Sequence, residues 1–124
     1  MIGTLLQVAT GGALGAALRW LLGLGVARVA GPGFPLGVLT ANVLGCLALG
    51  GFTGLAARYG WTGLSPCVAT GVLGGFTTFS SFSLETITLM EQGEAAQALG
   101  YVALSVGSGL GALYLGLSMA RGLA

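Results

Sequence analysis

The stretch GGFTTFSSFS, residues 74–83, places two glycines, five hydroxyl side chains and three phenylalanines inside a chain that is otherwise apolar. Each glycine lowers helix stability by about 1 kcal/mol relative to alanine, and threonine hydroxyls can satisfy backbone groups where a helix opens. At membrane depth, non-helical backbone is tolerated only where it is buried in protein or lines a wet cavity. The stretch therefore predicts one of two structures. Either the helix breaks and frees carbonyls that could hold a cation, or the glycines form a contact face and the threonines bond to the preceding turn.

Composition decides the class of protein around this stretch. Charged residues make up 6% of the 124 residues, and hydrophobic residues make up 55%. A soluble domain carries roughly 25% charged residues, so this chain could not cover a surface in water. Long neutral runs separate the charges, and a spanning helix needs about 20 mostly apolar residues. We predict a single all-α membrane domain over residues 1–124, with four transmembrane helices at about 2–26, 36–57, 66–90 and 95–120.

The residue types that are missing restrict the chemistry. The sequence contains no histidine, aspartate or lysine, so histidine-based acid–base catalysis is excluded, and zinc or paired-aspartate sites are not expected. We predict that the protein is not an enzyme. Cys46 and Cys67 lie in or beside apolar runs, where a small packing residue is more typical than a disulfide or metal ligand. The start of the chain lacks the basic region of a signal peptide, so the first span is expected to be retained.

The arginines give no preferred orientation in the membrane. Four spans place the first and third loops on one side and both termini with the second loop on the other. Arg19 and Arg28 lie near the first side, whereas Arg58 and Arg121 lie near the second. Since the positive-inside rule counts only Lys and Arg, this balance predicts insertion in both orientations and antiparallel pairing. Glycines four residues apart occur in every span and favour close helix packing in lipid.

Two phenylalanines of the opening stretch suggest a site for an anion. Phe79 and Phe82 are three residues apart and so share a helix face. The edge of an aromatic ring carries positive partial charge, so two rings presented edge-on could hold a small anion in a dry site. Ser80 and Ser81 lie between them and could donate hydroxyl hydrogens. The alternative is an ordinary aromatic core in which these hydroxyls bond to carbonyls of the preceding turn.

Further polar residues occur in the other spans. Asn42, the only asparagine, offers two amide donors that could join two helices or contact an ion. Tyr101, Ser105 and Ser108 follow one face of the fourth helix, and such a stripe could pass an ion along the span.

Two charged side chains have two interpretations each. Glu85 lies within the third span, where an acid is functional by default, although it could instead reach the interface together with Glu91 and Glu94. Arg19 could be an interfacial anchor or a positive group that attracts anions at a vestibule. Donors and ring edges outnumber acids in the spans, which indicates that an anion, not a metal cation, is the permeant species.

These motifs together resemble a known family. GGFTTFSSFSLE (74–85) resembles the signature of the Fluc (CrcB) fluoride channels, Gly-Gly-x-Thr-Thr-Phe-Ser-Thr-Phe, with Ser81 in place of the usual threonine. GGALGAALRW (11–20) resembles the first-helix motif of the family. PLGVLTANVLGC (35–46) is similar to the second-helix pattern, with Val38 at the usual threonine. The resemblance covers all four spans.

The resemblance implies an antiparallel homodimer with two pores and a broken third helix. It also implies a structural sodium ion at the dimer centre, held by the backbone carbonyls of Gly74 and Thr77. Phe79 and Phe82 would be the ring-edge fluoride sites, and Arg19 the vestibule arginine. The whole fluoride pathway that we expect comprises Asn42, Thr78, Phe79, Ser80, Ser81, Phe82, Tyr101, Ser105 and Ser108, with Glu85 as a pore-mouth acid.

The expected function is a passive, selective fluoride channel that exports fluoride across the bacterial plasma membrane. One alternative is a proton-coupled antiporter of the small multidrug type. That mechanism requires a buried glutamate in the first helix, and the first span here has no acid. A second alternative is a non-transporting membrane assembly subunit, which the glycine faces suggest but which leaves the polar residues within the spans unexplained.

Overall fold

The chain folds into a bundle of four spans, described for residues 1–122 in a computed structural model. The first, second and fourth spans are single helices, α1 (Ile2–Ala30), α2 (Leu36–Tyr59) and α5 (Ala95–Gly122). All four spans are long and apolar enough to cross a membrane, which confirms the predicted all-α fold with four spans. α1 extends four residues beyond its predicted end, to the point where Gly31 adopts a φ of 73° and stops the helix.

The third span is broken at its middle. It begins with a 3₁₀ turn, Trp61–Leu64, and continues as α3, which joins π-helical turns over Pro66–Leu73 to one α-helical turn, Gly74–Phe76. A second helix, α4, covers Phe79–Glu91. Between them Thr77 and Thr78 are extended, with ψ angles of 157° and 119°. The two glycines that favour an opening therefore stay helical, and the helix opens immediately after them.

Close contacts between glycine faces set the position of α3 against α1. A Cβ atom added at Gly11 or Gly15 would overlap the backbone of α3, and one added at Gly75 would lie 2.6 Å from the carbonyl of Gly12. Small residues at such contacts let helix backbones approach in lipid, where hydrophobic burial no longer drives association. Both structures that the opening stretch allowed are thus present together: the glycines form a contact face, and the helix breaks beyond it.

A second glycine contact holds α2 and α5 side by side, running in the same direction. A Cβ at Gly50 would overlap the carbonyl of Leu113, and a Cβ at Gly116 would overlap the carbonyl of Leu47. Gly107 and Gly111, which have the same four-residue spacing in α5, face open space instead. The spacing alone therefore does not say which glycines pack within one copy of the chain.

The buried core is small and lies beside the break. It comprises Leu39, Leu89, Ala98 and Tyr101, and Tyr101 is 0% exposed. Phe82 packs against this cluster from α4. Most large apolar side chains elsewhere point outward, as expected where lipid is the solvent.

Candidate functional site

Asn42 of α2 holds the break in the third span. Its Oδ1 accepts a hydrogen bond from the backbone N–H of Thr78 at 2.7 Å, and its Nδ2 donates to the carbonyl of the same residue at 3.1 Å. In a continuous helix the N–H of Thr78 would bond to the carbonyl of Gly74. The side-chain amide therefore replaces the missing helical bond, and the carbonyl of Gly74 loses its regular donor.

The threonines of the break stabilise the helices on either side of it. Thr77 donates its backbone N–H and its hydroxyl to the carbonyl of Leu73, at 3.1 and 3.0 Å. The hydroxyl of Thr78 accepts from the N–H of Ser81 at 3.1 Å, which is the N-cap bond expected at the first turn of a helix. It also lies 3.2 Å from the hydroxyl of Ser80. The two threonines thus stabilise the C-terminal end of α3 and the N-terminal end of α4.

An open groove of about 350 Å³ lies over the break, between α2, α4 and α5. Five of the predicted pathway residues line it: Asn42, Thr78, Phe79, Phe82 and Ser105. Its remaining lining is mostly apolar, so the few polar groups face a space that holds little other polar surface. The groove brings together in three dimensions residues that the sequence distributes over three spans.

The two phenylalanines form one wall of this groove. Their ring centroids are 5.6 Å apart with the planes tilted by 50°, so the rings do not stack face to face. Phe82 rests on Tyr101, at a centroid distance of 5.2 Å, and Tyr101 in turn meets Phe34 edge-on at 5.4 Å. Phe79 is 79% exposed. One ring is therefore fixed by the core, and the other stands at the open side.

Ser105 presents an unused hydroxyl to the groove. Its Oγ atom is buried and has no hydrogen-bond partner within residues 1–122. A buried hydroxyl without a partner is destabilising by about 1–3 kcal/mol, so such groups are rare where nothing binds to them. The hydroxyl of Ser108, by contrast, donates to the carbonyl of Leu104 in its own helix.

Four predicted pathway residues do not line the groove, namely Ser80, Ser81, Tyr101 and Ser108. Ser80 is exposed beside Thr78, and Tyr101 lies beneath Phe82 in the core. The three residues expected to form one stripe on the fourth helix therefore have different environments. Ser105 lines the groove, Tyr101 lies in the core, and Ser108 bonds within its own helix.

A second cavity, of about 510 Å³, contains Arg19 and Glu85. Arg19 donates from Nε to the carbonyl of Gly75 at 3.2 Å, in the last turn of α3. Glu85 accepts from the hydroxyl of Tyr101 at 2.7 Å, so its carboxylate is directed into the bundle. Arg19 and Glu85 are not paired with each other within the described residues. Val38, which replaces the threonine usual in the family pattern, lines the same cavity.

Five groove residues were not identified as site residues from the sequence: Cys46, Val106, Gly109, Leu110 and Leu113. Cys46 lies four residues after Asn42 on α2, and Gly109 lies four residues after Ser105 on α5. Residues four apart are neighbours on a helix surface. Counting four residues onward from Asn42 and from Ser105 would therefore have identified Cys46 and Gly109.

Comparison with known proteins identifies the family. A model of the family described as CrcB-like protein, Camphor Resistance (CrcB), matches residues 6–117. The chain is 56% identical to a protein of Ruegeria sp. (strain TM1040), over 99% of this chain and 98% of that one. It is 59% identical to one of Roseobacter denitrificans, over 97% of each chain. Both relatives are named fluoride-specific ion channel FluC. The match extends over all four spans and includes the broken third helix, and the chain therefore belongs to the CrcB-like family.

Proposed function

We propose that this multi-pass membrane protein is a passive, fluoride-selective channel that exports fluoride across the bacterial plasma membrane. The observation that carries the proposal is the groove at the break, where two tilted phenylalanine rings and a free serine hydroxyl face the same apolar space. Relatives that share more than half of its residues are named as fluoride-specific channels, and the groove is suited to the same ion.

The groove offers what a dehydrated anion needs in place of water. Ring edges carry positive partial charge, and those of Phe79 and Phe82 are accessible because the rings do not stack. The hydroxyl of Ser105 has its hydrogen free to donate, and the Nδ2 of Asn42 has a second hydrogen beyond the one given to Thr78. Ser80 and Ser81, which do not line the groove, would extend the row of hydroxyl groups along α4 beyond it. None of these groups carries a full charge, so the ion is held weakly enough to leave again.

A second copy of the chain is needed to close the groove. Phe79 is 79% exposed, and lipid beside it would leave an ion without partners on that side, at a cost of several kcal/mol per unsatisfied group. The balanced arginines favour a partner inserted in the opposite orientation. Such an antiparallel homodimer contains the groove twice, which gives two pores.

The carbonyls at the break suit a structural sodium ion between the two copies. Asn42 takes the N–H of Thr78, so the Gly74 carbonyl has lost its regular donor, and the extended backbone turns the Thr77 carbonyl out of the helical ladder. Backbone carbonyls are hard oxygen ligands of the kind that coordinate alkali ions in channels. A bound sodium ion would supply positive charge that fixes the two breaks against each other.

The second cavity would serve as the vestibule. Arg19 supplies a positive charge that raises the local concentration of anions, and its bond to Gly75 ties it to the break. Glu85 and Tyr101 form the boundary between vestibule and core, where Glu85 would act as the pore-mouth acid. An anion leaving a negative interior gains about 2.3 kcal/mol per 100 mV, so export requires no other energy source.

Efflux from liposomes tests the proposal. Purified protein is reconstituted into vesicles loaded with potassium fluoride, and release after valinomycin addition is followed with a fluoride electrode. If the protein is a channel, the rate of fluoride release should not change when an uncoupler is added. Vesicles loaded with chloride should release far less chloride than fluoride-loaded vesicles release fluoride. Efflux that requires a proton gradient would indicate an antiporter, equal rates for both halides would remove the selectivity, and no efflux at all would favour an assembly subunit.

A further inference from the structure

Two arginines face one groove at the end of the bundle where α2 and α5 end. This groove, of about 350 Å³, is lined by Arg58 and Arg121 together with Thr53 and Leu117. We call it the arginine groove. It lies at the opposite end of the bundle from the Arg19 vestibule, and the proposed ion path does not use it.

Among the described residues that line the arginine groove, the only charged side chains are the two arginines. The three acidic side chains of the sequence, residues 85, 91 and 94, belong to α4 and the turn after it, which lead to the other end of the bundle. Arg58 and Arg121 are both exposed, and the structure gives neither of them a carboxylate partner within the described residues. Arginines at helix C-termini interact favourably with the helix dipole. The helix dipole explains why each arginine lies near a helix end, but it does not explain why both arginines line one groove together with the Thr53 hydroxyl.

Aromatic side chains place the arginine groove at the level of the lipid headgroups. The rings of Tyr59 and Trp61 stack at a centroid distance of 5.3 Å, and Tyr and Trp are enriched at the membrane–water interface. The guanidinium carbon of Arg58 lies 5.4 Å from the centre of the Tyr59 ring. This cation–π contact restrains the arginine beside the two aromatic rings, which are of the types found at the level of the lipid headgroups.

We propose that the arginine groove binds the headgroup of an anionic phospholipid. The two guanidinium groups would hold the phosphate, for which their planar donor geometry is well suited, and the Thr53 hydroxyl would donate to a headgroup oxygen. Leu117, on the membrane side, would contact the first part of an acyl chain. An antiparallel dimer would carry one such site at each membrane surface, so both leaflets would be able to supply a ligand.

Trp61 provides a local reporter of lipid binding. The sequence contains two tryptophans, so a Trp20→Phe background leaves Trp61 as the only indole. The protein is reconstituted into vesicles in which a fraction of the lipid is dibrominated phosphatidylglycerol or, in parallel, dibrominated phosphatidylcholine. Bromine quenches the fluorescence of a nearby indole, and the two titrations give the relative affinity for the anionic lipid.

We expect quenching to favour phosphatidylglycerol over phosphatidylcholine. A basic residue near the membrane surface contributes about fivefold to the binding of anionic lipid. Arg58→Gln and Arg121→Gln should each reduce the preference by about that factor, and the double variant by about 25-fold. Arg28→Gln is the matched control, because Arg28 is an exposed arginine in the last turn of α1 at the other end of the bundle.

Several results would overturn the proposal. The first is equal quenching by the two lipids, and the second is an unchanged lipid preference in the double variant. The third is an equal loss of preference in Arg28→Gln, which would mean that only the overall charge of the protein matters. Loss of the preference on adding millimolar inorganic phosphate would assign the groove to a soluble anion. Arg58→Lys and Arg121→Lys keep the charge but lose the planar donor geometry, so they should lower the preference by less than the glutamine variants do. They provide the test if a glutamine variant fails to fold, and a preference equal to that of the unaltered protein would then contradict the proposal. The preference of the unaltered protein should also fall as salt is raised, because screening weakens exposed charges.

Discussion

Asn42 bonds to both backbone groups of Thr78, accepting from its N–H at 2.7 Å and donating to its carbonyl at 3.1 Å. One side chain of α2 thereby occupies the place of the helical bonds that the third span gives up at its break. The same amide lines the groove beside Phe79 and Phe82. The stability of the break and the lining of the proposed pore therefore depend on the same residue.

Removal of this amide should affect both properties. Asn42→Ala leaves the N–H and carbonyl of Thr78 without partners, and we expect the protein to lose about 1–3 kcal/mol of stability and most of its fluoride flux. Asn42→Asp keeps the acceptor for the Thr78 N–H but loses the donor and places a negative charge in the proposed anion path, so its fluoride efflux should also fall. Thermal unfolding in detergent and electrode-monitored efflux measure the two effects. Thr88→Val is the control, because the Thr88 hydroxyl bonds only within α4, to Leu84; wild-type behaviour of Asn42→Ala would contradict the assignment.

The two rings should differ in what their replacement costs. Phe79→Ile removes an exposed ring, so we expect much slower fluoride efflux with little change in melting temperature. Phe82→Ile should slow efflux and also destabilise the fold, because Phe82 packs on the buried Tyr101 with ring centroids 5.2 Å apart. The smaller side chain loses part of that contact, so the cost should be below that of a full truncation to alanine, which is about 3–5 kcal/mol. Phe52→Ile, in α2 and away from the groove, serves as the control. Wild-type flux in both ring variants would refute the ring-edge site.

Arg19 can be tested for charge and for hydrogen bonding separately. Arg19→Gln removes the positive charge from the second cavity, and we expect fluoride flux to fall by at least about tenfold if the charge concentrates anions there. Arg19→Lys keeps the charge but cannot reproduce the planar Nε donor that reaches Gly75 at 3.2 Å. Flux retained in the lysine variant assigns the role to charge, whereas equal losses in both variants assign it to support of the break. The salt dependence of the flux, measured in parallel, should weaken in Arg19→Gln only.

The packing of α2 against α5 should not tolerate a methyl group. Gly116→Ala places a Cβ on the Leu47 carbonyl, and because that atom belongs to the backbone it cannot move aside. We expect destabilisation of about 1–3 kcal/mol, as for other overpacked contacts. Gly100→Ala in the same helix faces open space and should be neutral or slightly stabilising, since alanine is the better helix former. Equal melting temperatures of the two variants would show that the contact is looser than the structure has it.

A sodium ion at the break should be visible as a cation-specific gain in stability. Replacing sodium with N-methylglucamine at constant ionic strength removes the proposed ligand of the Gly74 and Thr77 carbonyls, and we expect a lower melting temperature and slower efflux. A ligand at 100 times its dissociation constant stabilises by about 2.7 kcal/mol, so the shift should rise with sodium concentration and then saturate. An identical melting temperature in both cations, over the full range of concentration, would argue against the ion.

Composition and the spacing of the charges were enough to predict the class of the protein and the number of its spans. With so few charges the chain has to bury its surface in lipid, and the spacing of those charges leaves room for four helices. Residues 1–122 contain four such helical spans. The hydroxyl-rich stretch also identified where the third helix was weak, because glycines destabilise a helix locally and threonines can satisfy a backbone that opens.

The environment of each polar residue, in contrast, depends on how the helices pack against one another. Ser105 and Ser108 look alike in sequence, yet the Ser105 hydroxyl is buried with no partner among the described residues, whereas the Ser108 hydroxyl bonds to its own helix. Tyr101 and Ser105 share a helix face, yet Tyr101 belongs to the core and contacts Glu85. These differences depend on which helix lies opposite each side chain, and that is set by the glycine contacts of α1 with α3 and of α2 with α5. A glycine contact requires two surfaces to match, so its partner cannot be read from the spacing within one helix.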